Sequence, residues 1–249
     1  VKPCTTFSVN DDFSNSSRIG TDFLHSKTWT EMRQLMSNGD YVQGCERCYQ
    51  KESIGVKSTR QVLTEWFGLT DRVQIKFLDI AFSNICNLAC VGCNSELSSK
   101  WATEDLKHGR TIKVKSLKEH NFDLDNLDLS SIEVLKMLGG EPLLEQERFI
   151  SLLEKINRKN LNLTMTSNGT VKINDKLRSL IEECKNVVLF FSIDGNDTVN
   201  EWCRWPTKMK DVEDNILLYQ EWWKNHKNIQ LSSHTVINSY NIWLSLIHI

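Results

Sequence analysis

The sequence predicts an α/β fold of parallel strands and helices, preceded by a small irregular region that carries cysteines. Three observations support this. From about residue 73 onward, apolar runs typical of buried strands alternate with helical stripes. Neither pattern repeats before residue 70. Five of the eight cysteines fall into two tight clusters, one in each region.

The strand candidates are rich in Val, Ile, Leu, Phe or Thr: 74–82, 132–138, 161–167, 187–193 and 229–237. Apolar residues at helical spacing lie between the later strands: Phe149 to Ile156, Leu177 to Cys184, and Met209 to Trp223. This alternation predicts right-handed crossovers in either an open sheet or a barrel. Active sites in such folds lie at the carboxyl ends of the strands, so we expect the chemistry in the loops that follow them.

Residues 1–70 are expected to be irregular apart from one short helix. Its apolar side contains Trp29, Met32 and Leu35, and Gly39 is placed to end it. We therefore predict two parts, a cysteine-bearing module over 1–70 and an α/β core over 71–249. Because the chain stops soon after a strand that no helix covers, we expect the core to be truncated at its C-terminus.

Composition narrows the class of protein. The 249 residues contain 30 Lys plus Arg and 32 Asp plus Glu, a net charge of −2, which argues against a dedicated nucleic-acid-binding protein. The basic run over 107–118 is interpreted as a solvated, charged connection. We find no apolar stretch long enough to span a membrane and no signal-peptide pattern at the start. A cytoplasmic location with reduced thiols is expected.

The central motif is C-x3-C-x2-C, formed by Cys86, Cys90 and Cys93 directly after the first predicted strand. Three thiolates from one loop can ligate three irons of a cubane cluster and leave the fourth iron open. A structural zinc site would need a fourth protein ligand, and none is obvious nearby. Cys184 and Cys203 are interpreted as buried packing residues.

Further motifs follow the other strands, and with the cysteines they resemble the radical S-adenosylmethionine (radical SAM) enzymes. The later motifs are GGEP at 139–142, TSNGT at 166–170, FSIDG at 191–195 and HTVINSYN at 234–241. Each stands at the carboxyl end of a predicted strand. One departure is Gly92, where many family members have an aromatic residue beside the adenine.

The resemblance implies a partial (β/α) barrel with five of the family's six strands. It implies a [4Fe–4S] cluster on Cys86, Cys90 and Cys93 that binds S-adenosylmethionine. After reduction by a partner such as a flavodoxin or ferredoxin, the cofactor would be cleaved to a 5′-deoxyadenosyl radical that abstracts hydrogen from a substrate. The implied cofactor-binding residues are Gly139, Gly140, Glu141, Pro142, Asn168, Ser192 and Asp194. His234 is a candidate catalytic residue, with a structural barrel histidine as the alternative.

The stretch KTWTEMRQLMSNGDYVQGCERCYQKESIG resembles the auxiliary-cluster modules (SPASM and twitch types) of peptide-modifying radical SAM enzymes. The resemblance implies a peptide or protein substrate. Cys4, Cys45 and Cys48 would hold a second iron–sulfur cluster, and a zinc knuckle or a bare C-x2-C turn are the alternatives. Other functions left open are a nucleic-acid-modifying radical SAM enzyme and a non-catalytic zinc or iron–sulfur binding protein.

Overall fold

The computed structural model describes residues 4, 7, 24–70, 72–111 and 126–243. The chain divides into two compact units. The first comprises Val1–Lys76 with Asn121–Ser131, and the second comprises Phe77–His120 with Ile132–Ile249. Within the described parts, no helix combines the length and apolar composition needed to cross a membrane.

The second unit is built on one sheet of five parallel strands in sequential order. The strands are β1 (Phe77–Ala81), β2 (Val134–Leu138), β3 (Asn162–Ser167), β4 (Asn186–Ser192) and β5 (Ile229–His234). Each strand pairs with the next along the chain, as in a (β/α) barrel and unlike a doubly wound sheet. The predicted α/β fold of parallel strands is confirmed, and all five carboxyl ends meet at one edge.

The two faces of this sheet differ in burial. Leu135, Leu163 and Val187 stand side by side in register, and each is at most 1% exposed. The alternate positions, such as Lys136 and Thr164, are only half-buried. Because side chains alternate between faces along a strand, one face forms the apolar core and the other is more open and polar.

Helices cover the apolar face. Their bounds are α4 (Ser99–Lys107), α5 (Gln146–Lys155), α6 (Asp175–Glu182), α7 (Asp197–Cys203) and α8 (Met209–Trp223). Helices α5, α6 and α8 bury the apolar stripes that predicted them, including Leu152, Ile181 and Tyr219. Burial raises the pKa of Tyr219 to about 12, while its hydroxyl accepts a hydrogen bond from the Ile173 backbone. Cys184 and Cys203 are buried, as expected.

The first unit is more helical than we predicted. Its helices are α1 (Lys27–Asn38), α2 (Glu46–Ser53) and α3 (Thr59–Phe67). Gly39 ends α1 in a left-handed conformation with φ 78°, as expected. The expectation of a single helix was wrong. The two further helices are short and contribute little to a core, since α2 buries only Cys48 and α3 buries no side chain. Instead α3 starts with a capping box between Ser58 and Gln61.

Candidate metal centre

The predicted metal ligands lie on the loop between β1 and α4, residues 82–98, here called the cysteine loop. Cys86, Cys90 and Cys93 are all half-buried. Because the loop leaves the carboxyl end of β1, the three thiols stand at the edge of the sheet where such folds place their sites.

The first turn of α4 holds this loop in shape. The Ser99 hydroxyl accepts a hydrogen bond from the Cys86 backbone N–H at 3.0 Å and donates one to the Cys86 carbonyl at 3.1 Å. The Trp101 indole donates to the Cys90 carbonyl at 2.7 Å. The Ser98 hydroxyl caps α4 and donates to the Leu88 carbonyl at 2.6 Å. The backbone that carries the thiols is therefore anchored by side chains that follow it directly in sequence.

Burial dominates the electrostatics of the three thiols. Desolvation raises the pKa of Cys86 and Cys93, and it raises the pKa of Cys90 to about 11. The Cys90 thiol lies within electrostatic reach of both other thiols, and the nearby Arg204 guanidinium opposes the rise in its pKa. The described residues contain no group of three or more His, Cys, Asp or Glu side chains placed to hold a single metal ion. Three thiols on one loop nevertheless provide the three protein ligands that such an iron–sulfur cluster requires.

The GGEP motif packs its backbone against the cysteine loop. A Cβ on Gly140 would lie 2.3 Å from the Ile85 carbonyl oxygen, so no other residue fits without displacing the backbone. The N–H of Gly140 donates to the Ser83 carbonyl at 3.2 Å, and that of Glu141 donates to the Ile85 carbonyl at 2.7 Å. Gly139 has φ +137°, a conformation that favours glycine. The glycine pair thus allows the loops after β1 and β2 to meet.

Glu141 is 1% exposed, and its carboxylate bonds within the protein. One oxygen accepts from the Ser167 hydroxyl at 2.9 Å and from the Leu143 N–H at 3.1 Å, and the other accepts from the Asn168 N–H at 2.7 Å. Burial raises its pKa to about 6, while these donors oppose the rise. The side chain therefore ties the loop after β2 to the end of β3. Pro142 is also buried, at the first position of a 3-10 turn.

Asn168 links the end of β3 to the cysteine loop. Its side-chain amide donates to the Asn87 side-chain oxygen at 2.9 Å, and Asn87 donates to the Thr170 hydroxyl at 2.8 Å. Thr170 completes the network by donating to the Asn168 oxygen at 2.7 Å. Asn87 and Thr170 were missed in the sequence analysis, although Asn87 follows the first cysteine directly and Thr170 ends the TSNGT motif.

The remaining predicted residues of the core do not share one environment. Strand β4 ends at Ser192, so Asp194 lies two residues beyond the strand. Asp194 is buried, and one of its carboxylate oxygens lies 2.9 Å from Arg204 Nε. Ser192 is half-buried and stands in register with His234 at the end of β5. His234 is exposed, with its ring centroid 6.0 Å from that of Phe190.

The first unit brings its own three cysteines together. Cys4 and Cys45 pack against a small apolar cluster of Phe7, Met32 and Val42. Cys45 is the N-cap of α2, and Cys48 is buried within α2. Desolvation raises the pKa of Cys45, and the neighbouring Cys4 and Cys48 thiols raise it further. These thiols are therefore close to one another, although Cys4 is far from the other two in sequence.

An ion pair braces α2 against α3 in the same unit. Arg60 donates to both carboxylate oxygens of Glu52, at 2.7 Å and 2.5 Å, and its guanidinium lies 4.8 Å from the Tyr49 ring centroid. The bidentate geometry lowers the pKa of Glu52 to about 2. Ser58 also donates to Glu52. These residues were not singled out from the sequence, since an ion pair between two helices leaves no apolar pattern.

Residues 77–200 match the sequence model of a family described as a 4Fe-4S single cluster domain. The matched segment includes the cysteine loop and the motifs after β2, β3 and β4, and the description of the family agrees with the iron–sulfur cluster expected in the core. A comparison with curated protein sequences gives no match.

Solved structures similar to the chain include hexahistidine-tagged anSMEcpe with bound AdoMet, at 20% identity and a TM-score of 0.43, over 67% of this chain and 43% of that one. Native anSMEcpe with bound AdoMet and Kp18Cys peptide matches at 22% identity and a TM-score of 0.40, over 65% and 43%. Streptococcus suis SuiB bound to precursor peptide SuiA matches at 14% identity and a TM-score of 0.42, over 91% and 49%. The match spans less than half of each of these chains.

At the carboxyl edge of the sheet, the loops after β1, β2 and β3 are joined by direct hydrogen bonds. Of the predicted cofactor-binding residues, Gly140, Glu141 and Asn168 take part in these bonds. Ser192 and His234 lie at the ends of β4 and β5. The basic run that we interpreted as a solvated connection is described only to residue 111. There Lys107 pairs with Glu104 and Arg110 with Asp105, and the rest of the run lies outside the described residues.

Proposed function

We propose that this chain is a radical SAM enzyme that uses a [4Fe–4S] cluster to cleave S-adenosylmethionine reductively. The observation that best supports this proposal is the placement of Cys86, Cys90 and Cys93 on one anchored loop at the carboxyl edge of a parallel sheet. When bound, the cluster would supply the electron for cleavage, and the resulting 5′-deoxyadenosyl radical would abstract hydrogen from a substrate.

The chain's own residues would hold and orient this centre. Cys86, Cys90 and Cys93 would be the protein ligands. Gly139 and Gly140 bring the loop after β2 onto the cysteine loop, and the buried Glu141 carboxylate fixes that loop to β3. Because the Glu141 and Asp194 carboxylates already bond within the protein, we assign them a positioning role. Ser192 and His234 remain the polar side chains proposed to face the cofactor and substrate.

We further propose a peptide or protein substrate and a second iron–sulfur cluster in the residue 1–70 module. The resemblance to SPASM and twitch modules supports both. The proximity of the Cys4, Cys45 and Cys48 thiols supports the second cluster. A nucleic-acid substrate is less favoured, because Lys107 and Arg110 are both paired with acidic side chains.

The catalytic proposal is tested by anaerobic reconstitution with iron and sulfide. Wild type, a Cys86/Cys90/Cys93→Ala triple variant and Cys184→Ala would be compared by iron content and electron paramagnetic resonance, with and without S-adenosylmethionine. We expect a [4Fe–4S] signal that changes when the cofactor is added. It should be lost in the triple variant and kept in Cys184→Ala, whose buried thiol donates to the Leu180 carbonyl. A wild-type protein that holds only zinc, or a cluster indifferent to the cofactor, would overturn the proposal.

The second cluster is tested in the background of the triple variant. Iron that remains there and disappears when Cys45 and Cys48 are also changed to alanine would support it. Zinc in place of that iron would support a zinc knuckle. If the triple variant binds no metal, the interpretation of Cys45 and Cys48 as a bare C-x2-C turn is favoured.

The cell context of this function is also a proposal. We propose a cytoplasmic location, where thiols stay reduced. A flavodoxin or ferredoxin would be the electron donor. Residues 71–249 would form the catalytic core, with the cysteine-bearing module before it.

A further inference from the structure

Arg204 is a buried cation next to the proposed cluster ligands. It follows α7 directly, its backbone N–H closes that helix on the Asn200 carbonyl at 2.9 Å, and the residue is only 9% exposed. Burying a permanently charged guanidinium is costly unless partners compensate. The groups around it therefore indicate what it does.

Two backbone hydrogen bonds hold Cys90 opposite Arg204. The N–H of Ala89 donates to the Trp205 carbonyl at 2.7 Å, and the N–H of Val91 donates to the Cys203 carbonyl at 2.8 Å. The two donors are the chain neighbours of Cys90, and the two acceptors are the chain neighbours of Arg204. Between them, Arg204 Nη1 lies 3.9 Å from Cys90 Sγ, within hydrogen-bonding reach of sulfur.

Asp194 fixes the guanidinium from the other side. Its Oδ2 lies 2.9 Å from Arg204 Nε, and the two side chains are 7% and 11% exposed. The contact is an ion pair, since Nε makes no hydrogen bond. The other carboxylate oxygen of Asp194 accepts from the Val236 N–H at 2.9 Å, and the Asp194 N–H donates to the Asn200 side chain at 2.8 Å. The carboxylate is thus held independently of the arginine.

We infer that Arg204 is a positioning residue that sets the charge at the Cys90 sulfur and thereby the reduction potential of the cluster. This inference rests on the proposed function. The potentials of iron–sulfur clusters follow net charge, hydrogen bonds to sulfur and solvent exposure. Because reduction adds negative charge, a cation beside a ligand sulfur favours the reduced state and raises the potential. Asp194 acts in the opposite direction.

The signs of the shifts in reduction potential distinguish this electrostatic effect from a structural one. Arg204→Gln removes the cation and should lower the potential. Asp194→Asn leaves the cation uncompensated and should raise it. Both variants break the same ion pair, so mere loosening of the cysteine loop would move both potentials in one direction. We expect at least a tenfold change in the reduction equilibrium, equivalent to about 59 mV for a one-electron couple.

The test uses the full reconstituted chain, with iron per chain and a potentiometric titration followed by electron paramagnetic resonance. Arg204→Lys keeps the charge and should restore part of the shift. Arg158→Gln is the matched control, since it removes a cation from the ion pair with Glu183 and should leave the potential unchanged.

Shifts of opposite sign for Arg204→Gln and Asp194→Asn support the inference. Shifts of the same sign, or none, overturn it. If Arg204→Gln holds no iron, the reduction potentials of Asp194→Asn and Arg204→Lys provide the test instead. A raised potential in Asp194→Asn, with Arg204→Lys near wild type, then supports the inference, and an unchanged Asp194→Asn overturns it. A wild-type chain that assembles no cluster overturns the proposed function and, with it, this inference.

Discussion

Replacing Gly140 with alanine would place a methyl group 2.3 Å from the Ile85 carbonyl oxygen and 2.6 Å from that of Asn84. Both neighbours are backbone atoms, so the steric clash can be removed only if the loops after β1 and β2 separate. Separation would strain or break the hydrogen bonds from Gly140 to Ser83 and from Glu141 to Ile85. Overpacking together with two weakened hydrogen bonds amounts to roughly 3 kcal/mol of lost folding free energy.

Urea denaturation of the metal-free chain measures this loss, and iron content after reconstitution shows whether the cysteine loop still assembles a cluster. Gly92→Ala is the matched control, since Gly92 stands on the same loop between Cys90 and Cys93 and has nothing within 4 Å of its added Cβ. We expect its stability to change by no more than about 0.5 kcal/mol. Wild-type stability and iron content in Gly140→Ala would refute the argument that the two loops need close backbone contact.

Three further predictions concern the groups that surround the cysteine loop and the cap of α3. Burial raises the pKa of Glu141 from 4.5 to about 6, so the folded state binds more protons and stability should fall as pH rises through that interval, by about 2 kcal/mol. Glu141→Gln should flatten this dependence in denaturant titrations between pH 4 and about pH 7. Asn168→Ala removes the bonds to Asn87 and Thr170, and should cost about 2 kcal/mol and lower the iron retained. Thermal melts and iron assays would check this, and an unchanged melting temperature would contradict it. Ser58→Ala breaks the capping box of α3 and should cost about 1 kcal/mol in urea denaturation, whereas the exposed Ser53→Ala should cost little.

The strands and the main helices could be predicted because each carries its own apolar pattern. Leu163 and Met165 alternate with half-buried residues along β3, and Leu177, Leu180 and Ile181 form the stripe of α6. Helices α2, α3 and α7 bury few apolar side chains, and the sequence analysis missed them. Their stability comes from caps and ion pairs, such as Glu52 with Arg60, that leave little trace in hydrophobic periodicity.

The residues of the candidate site also divide into those that the sequence could predict and those that it could not. Cys86, Cys90 and Cys93 could be found because their spacing is local. Arg204 could not be found, because its contact with Cys90 joins residues 114 positions apart. Asp194 was expected to bind the cofactor, but it lies beyond the end of β4, is buried and forms an ion pair with Arg204. Nothing in a single sequence specifies which distant side chain will meet a given thiol.

The bonds that shape the cysteine loop have a consequence for the order of events during synthesis. All three core thiols are present once residue 93 has been made, but the loop's partners Gly140, Asn168 and the Cys203–Trp205 segment come much later. A chain that emerges from the ribosome amino-terminus first would therefore expose its three core thiols before these partners exist, while the rest of the sheet is still being translated. Iron loaded at that stage would meet a loop that is held only by its contacts with α4, so cluster insertion is expected to follow completion of the sheet.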